Sequence, residues 1–167
     1  MTKKNDPVLI RDLAINVFAT NGRLVDAGNV LVRDVGLTTA WWQVLGALGY
    51  SPVPLPVAHI ARNMGLTRQA VQRIVELLVE RGFVSMESNP HHQRAKLVVL
   101  TQEGRAALTT AELSVRSFDQ IAIEQIGADR VAVAIEVLHE LREALAQVLD
   151  VPGADLRTED SQRKDQK

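Results

Sequence analysis

The run from Thr67 to Leu100, TRQAVQRIVELLVERGFVSMESNPHHQRAKLVVL, constrains the fold more than any other part of the chain. Its first half carries apolar residues at helical spacing: Ala70, Val71, Ile74, Leu77 and Leu78. Gly82 stops that pattern, because glycine accepts the backbone conformation that ends a helix. Two short runs of strand character follow, FVSMES and AKLVVLT, separated by the turn-forming NPHHQR. A helix that passes directly into a hairpin must pack one face on the domain and leave the other in solvent.

The residues just upstream add a second helix. PVAHIARNMGL predicts a short one, with Val57, Ile60, Ala61 and Met64 inward and Gly65 as its stop. Thr67 is the expected N-cap of the longer helix. Helix, tight glycine turn, helix and hairpin is the order of a winged helix-turn-helix.

The flanks are helical as well. The apolar spacing predicts a long helix from about Pro7 to Val35, weakened and open to bending at Gly22 and Gly28. A second runs through GLTTAWWQVLGALGYS, capped by Thr38 or Thr39, with Trp42, Leu45 and Leu48 or Gly49 buried. SPVPLP, with three prolines in six residues, reads as a chain break. After the hairpin, Thr101 is expected to cap a helix reaching about Ile126, with Leu108, Ala111, Val115, Phe118 and Ile121 or Ala122 along one side. Gly127 breaks it. A last helix over 129–149 has a stripe that includes Val131, Leu138, Leu145 and Val148. Residues 151–167 hold almost no large apolar side chain and are expected to be a disordered tail. The expected fold class is mainly α: a winged helix-turn-helix with flanking N- and C-terminal helices, α+β because of the small wing hairpin.

Composition narrows the function. The chain has 167 residues and no cysteine, which excludes disulfides, thiolate zinc sites and cysteine redox sensing and makes a cytoplasmic setting natural. We read no signal peptide and no membrane-length apolar segment. The net charge of −1 is unevenly spread. Residues 56–100 hold six basic and three acidic residues; residues 101–167 hold eight basic and thirteen acidic ones. The segment with the helix pair and the hairpin is the basic one, which suits a polyanionic partner.

The first two turns of the longer helix present Arg68, Gln69, Gln72 and Arg73 on the side opposite its apolar face. Arginine can pair with guanine and glutamine with adenine through two hydrogen bonds each in the major groove. Arg94, near the hairpin tip, can enter the minor groove, with His91, His92 and Gln93 along the adjacent phosphates. No catalytic constellation and no phosphate loop stands out, so the chain is not expected to be an enzyme. His59, His91 and His92 do not have the spacing of converging metal ligands, and neither a metal nor a cofactor is expected.

These residues resemble the MarR (multiple antibiotic resistance regulator) family of bacterial transcription factors. The likeness lies in LTTAWWQVLGAL, PVAHIARNMGLTRQAVQRIVELLVERGFV, the wing NPHHQRAKLVVLT and the following LTQEGRAAL, and it spans about residues 8–148. It implies a sequence-specific regulator of double-stranded DNA, usually a repressor. The DNA-binding set would be Thr67, Arg68, Gln69, Gln72, Arg73, His91, His92 and Arg94. It also implies a homodimer on a pseudo-palindromic operator, with residues 8–35 and 102–149 as the dimerisation region and 38–101 as the DNA-binding region. A small aromatic or lipophilic effector would bind between them, and Phe18, Trp41, Leu45 and His59 are the candidates to line its pocket. The family's wing commonly reads Asp-Pro-x-Asp-Arg-Arg. Here His92 replaces the aspartate that braces the wing arginine, so a protonated His92 would meet a phosphate instead and make wing affinity depend on pH. The alternative is a winged-helix protein–protein adaptor without specific DNA binding, which would more often show an apolar patch on residues 67–73.

Overall fold

The computed structural model describes residues 6–90, 92 and 94–149. The chain divides into two compact units, Met1–Ser117 and Phe118–Lys167. The expected tail, 151–167, and the wing residues His91 and Gln93 lie outside the described residues. Among the described residues no helix is long and apolar enough to cross a membrane.

Helix α1 runs Val8–Leu31, shorter than expected, because a 3-10 turn at Arg33–Val35 and the left-handed Gly36 (φ 74°) redirect the chain. Gly28 is buried in it. A Cβ there would lie 2.5 Å from Thr39 Oγ1, so the glycine lets α2 (Thr39–Gly49) approach closely. The approach is fixed by two hydrogen bonds. Thr39 Oγ1 donates to the Val25 carbonyl at 2.8 Å, and Thr39 N donates to Asn29 Oδ1 at 2.8 Å. Thr38 is the α2 cap, accepting from Trp41 N at 3.2 Å. Val44, Leu45 and Leu48 are buried in α2, whereas Trp42 is only half-buried.

The proline-rich break contains a strand that local sequence does not reveal. β1 (Leu55–Pro56) pairs antiparallel with β3 (Leu97–Leu100), and β3 pairs with β2 (Val84–Glu87). The sheet order is β1-β3-β2. Proline lacks an N–H and suits such an edge. Helix α3 (Val57–Met64) follows β1 and buries Val57, Ile60 and Ala61. It ends at Gly65 in the left-handed conformation, φ 65°.

Helix α4 (Arg68–Glu80) buries Val71, Val75 and Leu78, a stripe at i, i+4 and i+7. The expected face is corrected at two positions: Val75 is buried, while Leu77 is 44% exposed. Thr67 caps α4 by accepting from Ala70 N at 3.2 Å. Thr67→Ala is therefore expected to lower stability by about 1 kcal/mol, with most of the loss recovered by Thr67→Ser. Urea unfolding checks this; equal midpoints for all three proteins would contradict it.

Thr101 ties the hairpin base to α5 (Gln102–Ile126). Its Oγ1 donates to the Gly82 carbonyl at 2.6 Å and accepts from Gly104 N at 3.0 Å. Leu108, Ala111 and Val115 of α5 join the core of the first unit, while Phe118 and Ile121 stay exposed. α6 (Ala128–Leu149) belongs to the second unit.

Candidate nucleic-acid interface

Burying Val71, Val75 and Leu78 fixes the rotation of α4 about its axis, and so decides what its outer face shows. Arg68, Gln69 and Arg73 are exposed and Gln72 is half-buried. Together with Glu76 these four line one shallow concavity over the first turns of the helix. Gln72 Nε2 donates to Glu76 Oε1 at 2.8 Å, so Gln72 must leave that partner, or share it, before it reads a base edge. Thr67 uses its hydroxyl as the cap.

The wing tip is built from successive turns. His92 N donates to the Asn89 carbonyl at 3.2 Å, and Ala95 N donates to the His92 carbonyl at 3.1 Å. Both His92 and Arg94 are exposed. Between the wing, α3 and the start of α4 runs a groove of about 1130 Å³. Arg68 and Gln72 stand on its α4 side, and His92 and Arg94 on its wing side. Of the sequence-predicted residues, Arg68, Gln72, His92 and Arg94 thus border one groove, while Gln69 and Arg73 lie on the separate concavity of the α4 face. Sequence reasoning missed two residues of this groove, Arg62 and Lys96. The signals were present: Arg62 lies three positions after His59 on one helical face, and Lys96 lies two after Arg94.

The four effector candidates do not converge. Phe18 is 78% exposed on α1, and Leu45 is fully buried in the core. His59 lines the groove beside the wing. Trp41 carries the Arg81 guanidinium 5.2 Å from its ring centroid. A separate cleft of about 800 Å³ opens between α1, α2 and α3, lined by residues that include Leu24, Trp42, Tyr50, Asn63 and Met64. It is Trp42, one residue and about 100° further round the helix than Trp41, that faces it. Among the described residues no three His, Asp or Glu side chains converge to hold a metal ion.

An outward polar helix, a glycine-ended helix before it and a basic wing define the class: a winged-helix, DNA-binding transcriptional regulator. Residues 35–95 match the sequence model of the MarR family, and the chain belongs to that family. Its curated relatives include an uncharacterized protein of Mycobacterium tuberculosis strain H37Rv. The two are 38% identical over 99 residues, 59% of this chain and 68% of the relative. Among solved structures, a MarR-family transcriptional regulator from Rhodococcus sp. RHA1 superposes with a TM-score of 0.70. It is 24% identical and covers 81% of this chain and 96% of its own. The M. tuberculosis regulator MosR in complex with DNA matches with a TM-score of 0.66 at 25% identity, over 79% of this chain and 96% of that one.

Proposed function

We propose that the chain is a cytoplasmic bacterial repressor that binds a pseudo-palindromic operator as a homodimer and releases it when a small aromatic or lipophilic effector binds. In each half-site α4 enters the major groove. Arg68, Gln69, Gln72 and Arg73 meet base edges and phosphates, and Thr67 sits at the helix end nearest the backbone. Arg94 enters the adjacent minor groove, with His91 and His92 along the phosphates. The observation that supports this reading best is the groove lined by Arg68 and Gln72 from α4 and by His92 and Arg94 from the wing. The polar exposure of Arg68, Gln69 and Arg73 disfavours the adaptor reading, which calls for an apolar patch there.

Dimerisation is supported by apolar surface that one chain leaves in water. Ile15, Phe18 and Val30 of α1, Leu113, Phe118 and Ile121 of α5, and Val133, Ile135 and Val148 of α6 are each 46% exposed or more. Burying such side chains is worth about 1.5–3 kcal/mol each, so a second copy is the natural cover. On this reading 8–35 and 102–149 form the dimerisation region and 38–101 the DNA-binding region. The cleft beside Trp42 and Tyr50 is the candidate effector site, in place of the four dispersed residues.

Selection of bound duplexes from a random pool tests the reading. The expected product has two inverted half-sites with centres roughly 10 base pairs apart. A pool that shows no enrichment would contradict it. Arg94→Ala should weaken all duplexes nearly evenly. It should also lower the slope of log affinity against log salt by roughly 2 for the dimer, one ion per wing. An unchanged slope would remove Arg94 from the minor groove.

A further inference from the structure

We propose that the cleft between α1, α2 and α3 selects an uncharged ligand: an aromatic or lipophilic molecule with hydroxyl or carbonyl groups on its edge and no ionised group. The proposal rests on that cleft being the effector site, and deepens it by naming the chemical class the site accepts.

The lining is uncharged. Leu24, Trp42, Leu55 and Met64 give the cleft an apolar surface. No described residue that lines it is a lysine, arginine, histidine, aspartate or glutamate. The chain places its cations elsewhere: the groove beside the wing takes Arg62, Arg68, Arg94 and Lys96. The two concavities part at adjacent residues of α3, with Arg62 on the groove and Asn63 on the cleft. A charge tied directly to the cleft lining is negative, because the Tyr50 hydroxyl donates to Glu112 Oε1 on α5.

Each of the three helices contributes one primary amide. Asn21 comes from α1, Gln43 from α2 and Asn63 from α3. All three are exposed, and among the described residues none of these side chains has a hydrogen-bond partner. Two hydroxyls of the lining are already committed: Thr39 Oγ1 donates to the Val25 carbonyl, and Ser51 Oγ donates to the Val53 carbonyl at 2.6 Å. A carboxamide offers two donor hydrogens and an acceptor oxygen without charge. Three of them around an apolar cleft suit a ligand whose own polar atoms are neutral.

Desolvation sets the selection. A carboxylate that enters the cleft gives up water, and neutral amides return hydrogen bonds but no counter-charge. A cation meets the same deficit, since none of the described lining residues carries a carboxylate. A neutral molecule of the same shape makes similar hydrogen bonds and gives up far less hydration. The cleft, about 800 Å³, has the size of a site for a drug-sized ligand.

The test titrates the full chain with three molecules of one skeleton: 2-naphthamide, 2-naphthoate and 2-naphthamidine, which are neutral, anionic and cationic at neutral pH. Calorimetry should show the amide binding about tenfold more tightly than either ion. Tryptophan emission locates the bound molecule. Trp41→Phe, which keeps Trp42 beside the cleft, should retain the emission change on amide binding, and Trp42→Phe should lose it. Gln43→Lys, by adding a cation at the rim, should bring the naphthoate about threefold closer to the amide. Absence of amide binding, an emission change that survives Trp42→Phe, or an unchanged amide-to-naphthoate ratio in Gln43→Lys would each overturn the proposal. Equal or tighter binding of naphthoate or naphthamidine at the same place would also overturn it, while leaving the cleft as the effector site. An amide that binds as expected yet leaves the selected duplex bound would instead remove the effector reading and keep this inference.

Discussion

Gly104→Ala is expected to destabilise the folded chain by about 3 kcal/mol, the largest effect of any single methyl group that we foresee. Gly104 lies in the first turn of α5 and is buried. A Cβ built there falls 1.9 Å from the carbonyl oxygen of Phe83 and 2.8 Å from its carbon, both backbone atoms. The clash cannot be relieved by rotating a side chain. The Phe83 carbonyl also accepts a hydrogen bond from Thr101 N at 3.1 Å, so moving it pulls on the cap of α5 and on the start of the wing hairpin. Chemical denaturation should show a much lower midpoint, and the variant should lose DNA binding at temperatures where the wild type keeps it. A loss below 0.5 kcal/mol, the range of an ordinary surface change, would mean that the two segments are not packed this closely.

Arg73→Ala is expected to weaken operator binding by about 1–3 kcal/mol for each half-site and to relax preference at the base pair it reads. The side chain is exposed in the second turn of α4 and is not part of the buried stripe, so folding should be unaffected. An arginine so placed can give two parallel hydrogen bonds to guanine, which alanine cannot replace. Its loss therefore differs in kind from the loss of Arg94: the selected duplex should suffer and a scrambled one barely change. Competition binding between the two duplexes measures this. An unaltered ratio of affinities would take Arg73 out of the base-reading set.

Much of the helix pair and hairpin was legible in the sequence because their boundaries are set by local chemistry. Gly65 and Gly82 adopt φ of 65° and 74°, and the Thr67 and Thr101 hydroxyl oxygens cap their helices by accepting from Ala70 N and Gly104 N. Each of those signals acts within three or four residues, so spacing alone reveals it. What was not legible depends on distant partners. β1 is two residues long and exists because Leu55 and Pro56 lie against Val98 and Leu97; nothing within SPVPLP encodes that. On α4 the choice between Val75 and Leu77 turns on which edge of an apolar stripe meets the body, and both are good core residues. The same limit applies to the two adjacent tryptophans. Trp41 and Trp42 point about 100° apart, and only the packed structure tells which one meets open space and which meets Arg81. Histidine at position 59 read as a pocket residue because the wing, more than thirty positions later, is what it faces.

The central claim is that α4 reads the major groove while the wing lies in the minor groove beside it. Dimethyl sulfate interference on the selected duplex tests this most directly, since the reagent marks guanine N7 in the major groove and adenine N3 in the minor groove. The account predicts that N7 methylation within both half-sites blocks binding, and that N3 methylation interferes only in the flanking positions beneath the wings. Binding that is indifferent to N7 methylation, with interference confined to the minor groove or absent altogether, would contradict it.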